Sequence, residues 1–212
     1  MFKKLLFVGA LFTTALSTTV LPASAFAAEP TYVVGSGGTY RPFEFENAQK
    51  ELEGFDIDII KAIAKAENFN IKLINTPWEG IFATLNSGDR DIIISGITIT
   101  DKRKQMVDFS TPYFPAEQSI VVPKGSTIDS IAALKDHKVG VVNSSTADIV
   151  VSDVLGKNST SIKRFDNTPL MLQEPYEDGV GAAVGAEAVV KVYIKTHPEK
   201  QFNLVSDATF DP

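Results

Sequence analysis

The chain contains no cysteine. That excludes disulfides, thiolate metal sites, cysteine nucleophiles and a lipid anchor carried on cysteine. Only two histidines occur, His137 and His197. Neither has a neighbour at metal-ligand spacing, so both read as surface or loop residues. Basic side chains are also scarce: 20 Lys and Arg stand against 26 Asp and Glu, a formal charge of −6. No basic stripe exists to meet a phosphate backbone, which argues against nucleic acid as a partner. The glycine-rich turn Gly35-Ser36-Gly37-Gly38 lacks the third glycine of a dinucleotide loop. Tyr40 stands at that position, and no helix opens there. Nucleophile-elbow, P-loop, metalloprotease and EF-hand patterns are all missing. The sequence therefore implies no cofactor and no metal.

What is present is ordinary globular material, 212 residues with 44% hydrophobic and 22% charged, enough for one or two domains. Lys3 and Lys4 precede an apolar run from Leu5 to Val20, and Leu21-Pro22-Ala23-Ser24-Ala25-Phe26-Ala27 ends in a small-x-small pattern. Residues 1–27 are expected to be a cleavable secretory signal, which directs the remainder to a periplasm. Its removal takes away two lysines and leaves 18 basic against 26 acidic residues. No later run is long and apolar enough to span a bilayer.

Hydrophobic periodicity predicts strands at 31–35, 71–74 and 91–94, the last buried on both faces. Helices are predicted from Gly54 to about Glu67, over 79–86 and over 100–107. The helix from Gly54 would turn Phe55, Ile59, Ile60, Ile63 and Ala64 to one face. A strand at 119–123 leads to a second series. Helices are expected at 128–135 (capped by Ser126), at 146–155, from Pro169, and at 188–196. Strands are expected at 138–142, 161–165, 182–184 and 202–205. Alternating strands and helices imply parallel sheets covered by helices. The expected organisation is α/β: a first lobe over 28–117, a hinge strand at 118–124 and a second lobe over 125–212.

Gly96-Ile97-Thr98-Ile99-Thr100-Asp101-Lys102-Arg103 follows a strand, at the sheet edge where open α/β folds bind ligands. Gly96 and Thr98 can offer backbone groups and a hydroxyl, and Arg103 a planar fork for a carboxylate. A capped surface helix with a solvated arginine explains the same residues. Asn143-Ser144-Ser145-Thr146 opens a helix whose free amides suit an anion, or they are plain caps. Tyr40 and Trp78 also follow strands, and both could be ordinary core edges.

Taken together and in order, these segments resemble the extracellular amino-acid-binding proteins of ABC importers, solute-binding protein family 3, which include glutamine-, histidine-, arginine- and lysine-binding members. The resemblance runs from Tyr40-Arg41-Pro42-Phe43-Glu44-Phe45 through Gly54-Phe55-Asp56-Ile57-Asp58 and Trp78-Glu79-Gly80-Ile81. It is most specific over Gly96–Arg103, Asp108-Phe109-Ser110 and Pro112-Tyr113. It implies a two-lobed periplasmic-binding-protein fold of type II that closes on its ligand. Tyr40 and Trp78 would flank the ligand side chain. Gly96 and Thr98 would bind its backbone, and Arg103 and Thr146 its α-carboxylate. The implied partners are a small amino acid and the permease and ATPase subunits of the importer, and the chain would act as a monomer.

Three departures accompany the resemblance. The position that usually holds an aspartate for the α-ammonium is Ala186, with Glu187 beside it. Pro175 falls inside the helix begun at Pro169 and should kink or end it. The chain stops at Pro212, before a second hinge strand, so the first lobe is expected to be incomplete there, with an exposed sheet edge. Alternative expectations are a truncated relative that binds weakly or not at all, and a dehydratase-type enzyme on the same fold using Glu44 or Glu187 as its acid–base group.

Overall fold

A computed structural model describes residues 28–173 and 180–207. The expected signal segment 1–27, Pro175 and the end at Pro212 lie outside them. The first sheet is parallel, with order β5-β1-β6, built from β1 (Thr31–Ser36), β5 (Asn70–Asn75) and β6 (Ile92–Ile93). α1 (Phe55–Ala66) and α2 (Ile81–Asn86) connect these strands. A small antiparallel sheet that periodicity did not reveal joins β2 (Thr39–Tyr40), β3 (Glu44–Glu46) and β4 (Leu52–Glu53). Strands of two or three residues carry too few alternations to register as a pattern.

α1 is rotated from the face expected of it. Ile57, Ile60 and Ala64 are buried, whereas Phe55 and Ile63 are exposed. The buried set is spaced i, i+3, i+7, one stripe of a helix lying on a sheet. β6 is shorter than expected and only half-buried. That partial burial means it is not enclosed on both faces, and among the described residues it pairs with β1 alone. α3 is a single turn, Asp101–Lys104. Thr100 caps it by accepting from the Arg103 amide at 3.2 Å, and the amides of Met106 and Val107 both turn back onto the Arg103 carbonyl.

The second sheet has five strands in the order β11-β7-β10-β8-β9: β7 (Gln118–Pro123), β8 (Val139–Val142), β9 (Ile162–Phe165), β10 (Ala182–Ala186) and β11 (Phe202–Val205). It is mixed, because β7 runs antiparallel to both β10 and β11. β7 is paired on both edges within the second sheet, and residues 105–117, which form no strand or helix, lead into it from α3. One face packs Ile120, Val122, Val139, Val141 and Val184 against α4 (Thr146–Leu155). The other packs Val121 and Ala183 against Met171 and Leu172 of α5 (Thr168–Gln173) and Val190 of α6 (Glu187–Thr196). The helix expected at 128–135 is instead a 3-10 turn over Ala132–Asp136. Ahead of it, side chains take the backbone donors: Ser126 Oγ accepts from Ile128 and Asp207 Oδ2 from Ile131. That competition disfavours a regular helix.

Gly54 starts α1 at φ 125°, and a Cβ there would lie 2.3 Å from the carbonyl oxygen of Phe43. Backbone cannot yield to that clash as a side-chain tip would. Gly54→Ala should therefore cost about 3 kcal/mol or more in urea unfolding, at the severe end for single substitutions; a loss within experimental error would show that the turn relaxes freely.

Candidate functional site

The loops after β1, β5 and β6 face the start of α4. Gly96 adopts φ 53°, and a Cβ on it would meet the Tyr40 ring at 2.7 Å. Only glycine lets the chain pass beneath that aromatic. Tyr40 in turn stacks on Phe43 with ring centres 5.8 Å apart. The structure thus brings Tyr40 and Gly96 into contact.

Arg103 is the unusual residue of the site. Its exposure is 6%, yet no carboxylate among the described residues pairs with it. Its Nη1 donates to the Thr98 carbonyl at 2.9 Å and its Nη2 to the Ser144 carbonyl at 3.3 Å. Its guanidinium carbon lies 5.3 Å from the Trp78 ring centre and 5.6 Å from that of Phe82. Burial lowers its pKa from the ordinary value, opposed by the nearby Tyr40. The solvated-arginine reading is therefore ruled out. Thr98 contributes its carbonyl to Arg103.

Across from these groups, Ser145 caps α4, its hydroxyl accepting from the Asp148 amide at 3.1 Å. Thr146, the first residue of α4, is buried, and its Oγ1 accepts from Gln118 Nε2 at 3.0 Å. Its hydroxyl hydrogen remains available to donate. Trp78 Nε1 donates to the Asn143 carbonyl at 2.8 Å. Together with Arg103 and Ser144, this makes two hydrogen bonds between side chains from the first sheet's loops and the turn before α4.

Ala186 ends β10 directly opposite Gln118 of β7. It offers a methyl group only. Glu187 does not replace it. Its carboxylate accepts from Ser119 Oγ at 2.7 Å and pairs with Lys191, and those bonds, led by Lys191, pull its pKa down. Successive side chains of a strand point to opposite faces, so Glu187, held by Ser119, lies on the other face from Gln118 and Thr146.

Sequence reasoning missed Gln118. Its Oε1 is buried and has no hydrogen-bond partner among the described residues. A polar residue heading an otherwise apolar strand was the available signal. It also missed a buried carboxyl pair beneath Gly96. Asp56 Oδ2 accepts from the Gly96 amide at 2.6 Å and Oδ1 from Tyr113 Oη at 3.0 Å. Glu44, 1% exposed, accepts at Oε1 from Ser95 Oγ at 2.7 Å. Its Oε2 finds no donor. Burial and the adjacent Asp56 push Glu44 from the ordinary 4.5 up to about 10, against the pull of Ser95. Burial raises Asp56 as well, while the Gly96 amide and the Tyr113 and Glu44 hydrogen bonds hold it down. Burial and the neighbouring carboxylate thus favour the neutral form of Glu44 over its charged form.

The family described as bacterial extracellular solute-binding proteins, family 3, matches residues 32–204. A probable histidine-binding protein of Neisseria gonorrhoeae is 44% identical over 187 residues, which take in 87% of this chain and 70% of that protein. The crystal structure of ArtJ, an arginine-, lysine-, histidine-binding protein from Geobacillus stearothermophilus, superposes with a TM-score of 0.81 at 36% identity. The match covers 85% of this chain and 77% of that one. An ancestral arginine-binding protein bound to arginine gives a TM-score of 0.80 at 40% identity, over 85% and 80% of the two chains.

The buried carboxyl pair makes stability depend on pH. The unfolded chain releases the Glu44 proton near 4.5, and the folded chain holds it to about 10. The stabilisation linked to that proton is complete below the lower value and is lost as pH rises toward the upper one. Thermal unfolding followed from about pH 5 to about pH 9 should show the wild type losing stability relative to Glu44→Gln, whose amide needs no proton. Parallel profiles would place the proton elsewhere.

Proposed function

The chain belongs to the bacterial extracellular solute-binding proteins, family 3, and from that membership we propose that it captures a polar or cationic amino acid for an ABC importer. The observation that carries this reading is Arg103. A buried guanidinium with no acid beside it is costly, because carbonyl oxygens do not offset its charge. An α-carboxylate supplies the missing anion with a geometry matched to the guanidinium fork. The same carboxylate can take the Thr146 hydroxyl and the unpaired first amides of α4, whose dipole favours negative charge.

The cationic end of the ligand has less obvious support. Ala186 offers nothing, and Glu187 is engaged on the opposite face. Gln118 Oε1, next to Thr146 and without a donor, is the acceptor this reading assigns to the α-ammonium. Tyr40, Trp78 and Phe82 offer flat faces that suit a planar or cationic side chain. Similar proteins named for histidine and for arginine, lysine and histidine point to the same ligand class. The acid–base reading of Glu44 has less support, since its two oxygens face Ser95 and Asp56 and not an open site. On this reading the chain works as a monomer in the periplasm, delivering its ligand to a permease and ATPase of other chains.

Calorimetric and thermal-shift titration with the common amino acids tests this. Arginine, lysine or histidine should give saturable stabilisation, and Arg103→Ala should abolish it; no response to any amino acid would overturn the reading. Ala186→Asp should tighten binding by about tenfold, the value of one added charge-assisted hydrogen bond. No gain would mean that the ammonium is already fully paired.

A further inference from the structure

The turn that faces Arg103 and Trp78 is held from behind. Ser144 adopts φ 58°, a left-handed conformation that side chains other than glycine rarely take. Its amide donates to Asp148 Oδ2 at 3.0 Å. The same carboxylate is clasped by Arg164, whose Nε lies 3.0 Å from both oxygens and whose Nη2 lies 2.9 Å from Oδ1. Ser152 Oγ donates to Oδ1 at 3.1 Å, and the Asp148 amide donates to Ser145. Every bond of this cluster is made inside the second sheet's unit. Its only outward product is the pose of two carbonyls, Asn143 toward Trp78 and Ser144 toward Arg103.

We propose that Asp148, clasped by Arg164, is a positioning residue for solute capture: it locks the Asn143–Ser145 turn so that its carbonyls latch onto Trp78 and Arg103 and slow release of the ligand. The proposal rests on the binding function above. The strain at Ser144 persists because the carboxylate fixes the amide, as at other sites where surrounding structure over-determines a backbone pose. Asp148 touches no ligand. It acts through the turn, so its effect falls on how long the lobes stay together and not on how ligand first arrives.

The test is dissociation of radiolabelled L-arginine and L-histidine, chased with unlabelled amino acid, from wild type, Asp148→Ala, Trp78→Phe and the double variant. Asp148→Ala should speed release by at least about tenfold while leaving the association rate within about threefold. Trp78→Phe, which keeps a ring but loses the donor, should do the same, and the double variant should be no faster than either, the mark of one shared interaction. If Asp148 were merely structural, Asp148→Ala would lower the melting temperature while its folded fraction released ligand at the wild-type rate; that result overturns the proposal, as does additivity in the double variant. Trp78 is the chain's single tryptophan, which gives a readout without ligand: its emission should shift to the red in Asp148→Ala. Should the wild type bind neither probe, the binding function fails, and an unshifted Trp78 emission in Asp148→Ala then overturns the latch as well.

Discussion

A guanidinium held out of water without a carboxylate sets the terms for the rest of this molecule. Arg103 is placed by a one-turn helix capped by Thr100, stacked near Trp78 and Phe82, and bonded among the described residues to the carbonyls of Thr98 and Ser144. Carbonyl dipoles reduce the penalty of burying that charge but do not cancel it. The surrounding parts are arranged so that a small anion completes the balance: the positive end of α4 and the Thr146 hydroxyl lie beyond the turn that Arg103 touches.

Two supports behind the site show how such an arrangement is kept rigid. On one side, Asp56 holds the amide of Gly96 and is itself held by Tyr113, with the buried Glu44 driven toward its neutral form beside it. On the other, Asp148 holds the amide of Ser144 and is held by Arg164. In each case an acid fixes a residue of positive φ whose neighbours face the site. The two acids are balanced differently. Glu44 and Asp56 are buried together, and burial raises the pKa of both, whereas Asp148 meets a permanent cation. The first support therefore depends on pH.

The missing acid at Ala186 acquires a physical meaning in this setting. β7 and β10 run antiparallel with Ala186 opposite Gln118, so a polar atom is available at the same place from the neighbouring strand. An amide oxygen is a weaker partner for an ammonium than a carboxylate. The cationic end of a ligand would thus be held less firmly than its anionic end.

Much of the fold was legible in the sequence because its signals are local. Apolar runs at 31–35, 119–123 and 139–142, the cap-and-stop pattern of α4 and the apolar stripe of α6 each follow from neighbours within a few residues. The resemblance over Gly96–Arg103 pointed to an arginine that the fold buries, and Asn143–Thr146 marked a real helix start. Other features needed the folded chain. The 3-10 turn at Ala132–Asp136 displaced a helix because Asp207, far along the chain, takes the Ile131 amide. Gln118 and Asp148 carried no motif and Asp56 sat in one without a visible role, since their roles come from partners 28, 16 and 40 positions away. Sequence by itself determined the α/β class, the family and the identity of the buried cation, all written in short-range pattern. Only the tertiary structure decided that no acid among the described residues pairs with Arg103, that Glu187 faces away and that Glu44 is driven toward its neutral form, because burial and charge pairing depend on what the fold places alongside each group.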